Sequence, residues 1–156
     1  MNVFYIFTFT ALWKDSILKL QKDLNYNPVL YVGNSNDALL QQGVVTNDIF
    51  YDISDARIGN LPSSLLSSNE LNLNPQLLLD FSKDEPVILE MISRFLDDKY
   101  SGSYTSRRIF YWRLLAIWDA LFTKFNPEIV ISGSIPHRIF DYVVYLLCVK
   151  RNIPFI

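Results

Sequence analysis

The chain has 156 residues, half of them apolar and 19% charged, with a net charge of −2. That is the size of one domain with a real core, roughly 100–150 residues, and the composition excludes a disordered segment. A single cysteine excludes an intramolecular disulfide, and one histidine excludes a Cys/His zinc motif.

Val3 to Phe9 is a short apolar run rich in β-formers and reads as a first strand covered on both faces. It lacks a basic leader and a small-residue cleavage site, so a signal peptide is not expected. Leu12 to Leu24 has helical spacing, with Leu12, Ile17, Leu20 and Leu24 on one side. Asn25-Tyr26-Asn27-Pro28 stops that helix. Val29 to Val32 is a second strand, Asp37 to Gln42 a helical turn, and Ile49 to Ile53 a third strand. Ser54 to about Asp84 is irregular, rich in Ser, Asn, Leu and Pro, and reads as a loop or lid with one or two helical turns.

Glu85 to Asp97 has the apolar stripe of a helix, Ile88, Met91, Ile92 and Phe95, with Pro86 suited to its first turn. Asp98 to Tyr104 is a connector. Thr105 or Ser106 is placed to cap a long helix that ends at Phe125 and is apolar on most faces. Arg113, Asp119 and Lys124 interrupt it, and no window reaches the ~18 uninterrupted apolar residues of a membrane span. Ile129 to Ile131 is the clearest strand. A helix from about Pro136 to Arg151 follows, then Ile153 to Ile156 as the start of another strand, which reads as a truncation after residue 156. Strands alternating with helices predict a single α/β domain, a Rossmann-like three-layer sandwich on a mainly parallel sheet.

The loop Ser132-Gly133-Ser134-Ile135-Pro136-His137 is the candidate functional site, because ligands of open α/β sheets bind beyond the carboxyl ends of strands. Gly133 admits a ligand or another backbone at close range. Ser134 is placed to cap the helix, Pro136 to open it, and the free N–H groups there would favour an anion. His137 would lie in the first turn with Asp141 four residues on, on the same face as Tyr145. That pairing suits a base oriented by a carboxylate. Thr8, Thr10 and Trp13, after the first strand, would line the same cleft, and Arg138 would meet phosphate or carboxylate. Asp52 and Asp55 read as a turn or cap rather than a metal site, and no metal is expected. Cys148, on the apolar side of its helix, reads as an inert thiol. Residues 1–100 carry 7 basic and 13 acidic side chains, and residues 101–156 carry 7 and 3. The second part would therefore attract anions, through Arg107, Arg108 and Arg113 among others. The acidic first part argues against nucleic acid.

The run from Pro127 to Ile156 resembles a segment of bacterial capsular and surface polysaccharide biosynthesis proteins, which are glycosyltransferase-like with two Rossmann-like domains in the GT-B arrangement. Pro136, His137, Asp141 and Tyr142 carry the likeness, which covers about a fifth of the chain. It implies the amino-terminal half of a two-domain enzyme transferring a sugar from a nucleotide-sugar to a glycan acceptor. His137 and Asp141 would then be catalytic, and Ser132, Gly133, Ser134, Pro136, Arg138, Tyr142 and Thr10 ligand-binding. The nucleotide-sugar would be a substrate, with no cofactor held by this chain. The missing carboxyl-terminal domain would be the partner, and the place of action the cytoplasm or the inner face of the membrane. Peripheral membrane association and self-association are both compatible with it. The alternative is a non-catalytic Rossmann-like module that binds a ligand or protein through its aromatic-rich helix, with Trp112 and Trp118 as contacts.

Overall fold

Four strands pair in parallel in the order β3-β2-β1-β4 in the computed structural model, which describes residues 1–8, 11–95 and 102–156. They are β1 (Asn2–Ile6), β2 (Asn27–Gly33), β3 (Phe50–Asp52) and β4 (Ile129–Ser132). The chain is thus an α/β Rossmann-like three-layer sandwich, as its alternation of elements predicts. The last residues add to the β4 edge through one parallel bridge, Val130 to Phe155, rather than a full strand. Thr10 and the expected helix end at Asp97, with the connector as far as Ser101, lie outside the described residues.

Both faces of the sheet are covered, so its apolar runs conceal a period-2 alternation. Val3, Tyr5, Tyr31, Ile129 and Ile131 face α1 (Ala11–Leu24) and α2 (Ala38–Gln41). Phe4, Ile6, Leu30, Val32 and Val130 face the larger helical side. The sheet-facing stripe of α1 is Trp13, Ile17 and Leu20, whereas Leu12 is 82% and Leu24 57% exposed. One helix presents only one narrow stripe, and the indole of Trp13 takes the place the sequence assigns to Leu12.

On the other side lie α3 (Ile53–Ile58), α4 (Pro75–Asp80), α5 (Glu85–Phe95), α6 (Tyr104–Phe125) and α7 (Ile139–Arg151). Rings join α6 and α7 to the sheet: Phe4 meets Phe122 edge-on at 5.1 Å, and Trp118 lies 5.8 Å from Tyr51 and 5.7 Å from Phe140. Because α5 packs on α6 and α7, α6 is covered on more than one face, which accounts for its all-round apolar sequence. Trp118 is fully buried, so it is no surface contact, and the Trp112 ring is covered by the Arg108 guanidinium at 4.6 Å.

Two caps differ from expectation. Ile53 opens α3 instead of closing β3, because the Asp52 carboxylate accepts the Ser54 N–H at 2.8 Å. The Ser103 hydroxyl caps α6 by accepting the Ser106 N–H at 3.0 Å, three residues on, which leaves Thr105 and Ser106 inside the helix.

The middle segment holds α3, a 3₁₀ turn at Ser68–Glu70 and α4, and buries Leu65, Leu66 and Phe81. Lys124 donates to the Leu65 carbonyl at 2.7 Å and pairs with Glu70 at 3.4 Å, and Lys150 pairs with Asp80 at 2.8 Å. These contacts lie at the carboxyl ends of α6 and α7, about 20 Å along α7 from the 132–137 loop.

Glu85 ties α5 to α6. Its carboxylate forms an ion pair with Arg108, Nε to Oε1 2.7 Å, and accepts from Trp112 Nε1 at 3.2 Å and Tyr104 Oη at 3.4 Å. Three side chains one turn apart on α6 thus converge on one acid, whose side chain is 13% exposed. Glu85→Ala is expected to lower stability by about 1–2 kcal/mol in urea unfolding monitored by tryptophan fluorescence, and Glu85→Gln by less.

Candidate functional site

The chain passes from β1 to β2 on one flank while β4 lies on the other, so the loops leaving β1 and β4 diverge at the carboxyl edge. Such a topological switch point is where open α/β sheets form their ligand crevice. The loop Ser132 to His137 and the end of β1 meet there.

The two backbones touch. The Gly133 N–H donates to the Ile6 carbonyl at 2.8 Å, and a β-carbon on Gly133 would lie 2.2 Å from the Phe7 carbonyl oxygen and 3.0 Å from Trp13 Nε1. Glycine is needed here for a neighbouring backbone, one of the two uses its presence suggests. Phe7 has φ 57°, left-handed and unusual for an aromatic residue, so β1 stops at Ile6 rather than running to Phe9. Its ring lies 5.4 Å from Phe140, 6.3 Å from the His137 imidazole and 5.4 Å from the Arg138 guanidinium carbon. Nothing in the sequence marks Phe7, because a β-forming aromatic in an apolar run reads as strand.

The serines build the loop. Ser132 Oγ donates to the Ser134 carbonyl at 2.7 Å, and Ser134 Oγ donates to the Ile135 carbonyl at 3.1 Å and lies 3.1 Å from His137 Nδ1. Helix α7 begins at Ile139 with Arg138 as its N-cap, so Ser134 is not the cap and Pro136 and His137 precede the first turn. The reason is Asp141, at the third helical position. Its carboxylate accepts the N–H groups of Arg138 at 2.8 Å, His137 at 3.2 Å and Tyr142 at 2.8 Å. This is half of a capping box, since an arginine side chain has no acceptor with which to reciprocate.

Asp141 is fully buried. Burial pushes its carboxyl up to about 6, against the pull of the backbone donors and of His137. The carboxylate occupies the ground where the open N–H groups would have drawn an anion, so the start of α7 is already supplied with one.

His137 is held by a carbonyl more than by Asp141. Nδ1 lies 2.7 Å from the Ile135 carbonyl but 3.8 Å from Asp141 Oδ2. A carbonyl only accepts, so Nδ1 carries the hydrogen, and Nε2 accepts from Arg138 Nε–H at 3.3 Å. The ring is half-exposed, with Arg138 beside it. Tyr142 joins the site through its backbone N–H, while its ring lies 6.0 Å from Tyr145, which in turn meets Phe155 edge-on at 5.7 Å.

Among the remaining candidates, Thr8 is fully buried, and its carbonyl lies 3.5 Å from Tyr31 Oη. Tyr31 donates to Asp37 at 2.6 Å, and Asp37 caps α2 by accepting the Leu39 N–H at 2.9 Å. The sequence gives little mark of this buried pair. Its visible signal is an aspartate just ahead of Ala38-Leu39-Leu40. Asp52 is a cap, and Asp55 accepts from the Asn60 side chain at 2.8 Å. Among the described residues no three His, Cys, Asp or Glu side chains gather as a metal site. Burial pushes the Cys148 thiol up to about 12, which removes it as a nucleophile.

Two predictions follow from this geometry. Gly133→Ala forces the β1 and β4 loops apart and is expected to cost about 1–3 kcal/mol in urea unfolding. Asp141 has a folded-state pKa above its unfolded value, so between about pH 4 and 6 the folded chain keeps a proton that the unfolded chain has lost. Its contribution to stability therefore falls as pH rises through that window. Unfolding free energies of wild type and Asp141→Asn, measured from pH 4 to 7, should differ by an amount that varies with pH in that direction; a flat difference contradicts the assignment.

The chain matches no protein-family model, no curated protein and no solved structure.

Proposed function

We propose that this domain forms one wall of a glycosyl-transfer site, taking a sugar from a nucleotide-sugar to a glycan acceptor in surface polysaccharide synthesis. The observation that carries the reading is the presentation of His137 and Arg138 side by side at the β1/β4 switch point. The resemblance to polysaccharide biosynthesis proteins rests on Pro136-His137 in this loop and on Asp141-Tyr142 at the start of α7. A second α/β domain would supply the other wall.

In this reading His137 Nε2 leaves Arg138 and accepts the proton of an acceptor hydroxyl. That oxygen bonds to the anomeric carbon, the sugar–phosphate bond breaks, and the nucleotide departs with the bonding pair. Nδ1–H stays on the Ile135 carbonyl, and Asp141 at 3.8 Å favours the charged ring that results. Arg138, freed from the ring, would meet a phosphate of the donor. The site of action would be the cytoplasm or the inner membrane face; among the described residues no helix is long and apolar enough to cross a membrane.

One observation favours a non-catalytic ligand- or protein-binding module instead: both ring nitrogens of His137 are engaged within the chain. Transfer assays with nucleotide-sugars and glycan acceptors separate the two. His137→Ala should lower kcat by about 10²–10⁴ with donor KM little changed, whereas Arg138→Gln should mainly raise donor KM. Unchanged turnover in His137→Ala, or a wild-type protein that binds no nucleotide-sugar by calorimetry, overturns the enzymatic reading.

A further inference from the structure

We infer that Phe7 is a positioning residue whose ring seats the Arg138 guanidinium and thereby sets the His137 imidazole. The inference rests on the reading of His137 as the working group of the crevice. Three observations converge on it. Phe7 adopts φ 57°, a conformation glycine would take without strain and an aromatic residue only at some cost. That turn aims its ring at the start of α7, where it contacts Phe140 at 5.4 Å and lies 6.3 Å from the imidazole. The Arg138 guanidinium carbon sits 5.4 Å from the same ring, within cation–π range, while its Nε–H donates to His137 Nε2 at 3.3 Å.

The chain of contacts runs from strained backbone to ring, from ring to guanidinium, and from guanidinium to imidazole. Arg138 is a long, flexible side chain that in water would sample many rotamers. Its guanidinium carbon held 5.4 Å from the centre of the Phe7 ring restricts it to arrangements in which Nε reaches His137. With Nε2 facing a donor and Nδ1 facing the Ile135 carbonyl, the ring is confined to its Nδ1–H form. Phe7 thus acts on the histidine through Arg138 as well as through direct packing.

The test reads the His137 imidazole nitrogens by ¹⁵N NMR in the intact chain, which requires no substrate and so is independent of whether sugar transfer occurs. Wild type is expected to show mainly the Nδ1–H tautomer. Phe7→Leu keeps an apolar side chain but removes the π face, and should move the ring toward Nε2–H. Phe7→Tyr keeps the face and should retain the wild-type pattern. Wild-type shifts in Phe7→Leu, or equal displacement in Phe7→Leu and Phe7→Tyr, overturn the inference. If Phe7→Leu does not fold, Phe7→Met takes its place, with an apolar side chain and no π face: displaced imidazole shifts support the inference, and wild-type shifts overturn it. Loss of the His137→Ala effect on transfer would refute the catalytic reading while leaving this result standing.

Discussion

The close crossing of Gly133 over the Phe7 carbonyl governs this end of the molecule. A β-carbon at Gly133 would lie 2.2 Å from that oxygen, so β1 and β4 can pair through to their last residues only because one side chain is missing. At the same crossing Phe7 is left-handed, and its ring lies 5.4 Å from Phe140 of α7. Helix α7 then starts against that ring, and His137 and Arg138 project from the turn just ahead of it. The crevice is in this sense built by backbone packing first, with its polar side chains placed afterwards.

Asp141 sets the electrostatic character of the site. A carboxylate without solvent is costly, and three backbone donors plus the positive end of α7 offset only part of that cost, which is why its carboxyl sits up at about 6. Its gain is structural: it fixes where α7 begins and which way the His137 and Arg138 amides point. Having filled the helix end, it shifts the attraction for an anionic ligand to the guanidinium of Arg138. The proposed chemistry therefore relies on side chains rather than on the bare helix terminus that serves many phosphate sites.

The two sides of the sheet are unequal. One is covered by α1 and α2, the other by helices that pack on one another, with Trp118 between Tyr51 and Phe140. The middle segment belongs to the thick side and is anchored at the far ends of α6 and α7 through Lys124 and Lys150. Leu65, Leu66 and Phe81 complete a core, which accounts for a long irregular stretch in a small domain.

Local pattern was enough to establish the sheet strands, the helices α1, α2, α5, α6 and α7 and the loop after β4, because apolar periodicity and Pro, Gly and Asn stops are properties of neighbouring residues; α3 and α4 fell in a stretch read only as a loop with one or two helical turns. It also marked Gly133, His137 and Asp141 as residues with something to explain. What it could not carry was any choice made between distant segments. Whether Trp13 or Leu12 faces the sheet depends on the packing of α1 against β1 and β4. Whether Gly133 serves a ligand or a backbone depends on Phe7, more than a hundred residues away. The start of α7 is three residues later than Ser134 and Pro136 suggest, because a buried carboxylate outcompetes a loop serine once tertiary burial has removed water from the helix end. The partnership of His137 with Ile135 and Arg138, rather than with Asp141, is settled by the same burial: Asp141 is already committed to the backbone amides.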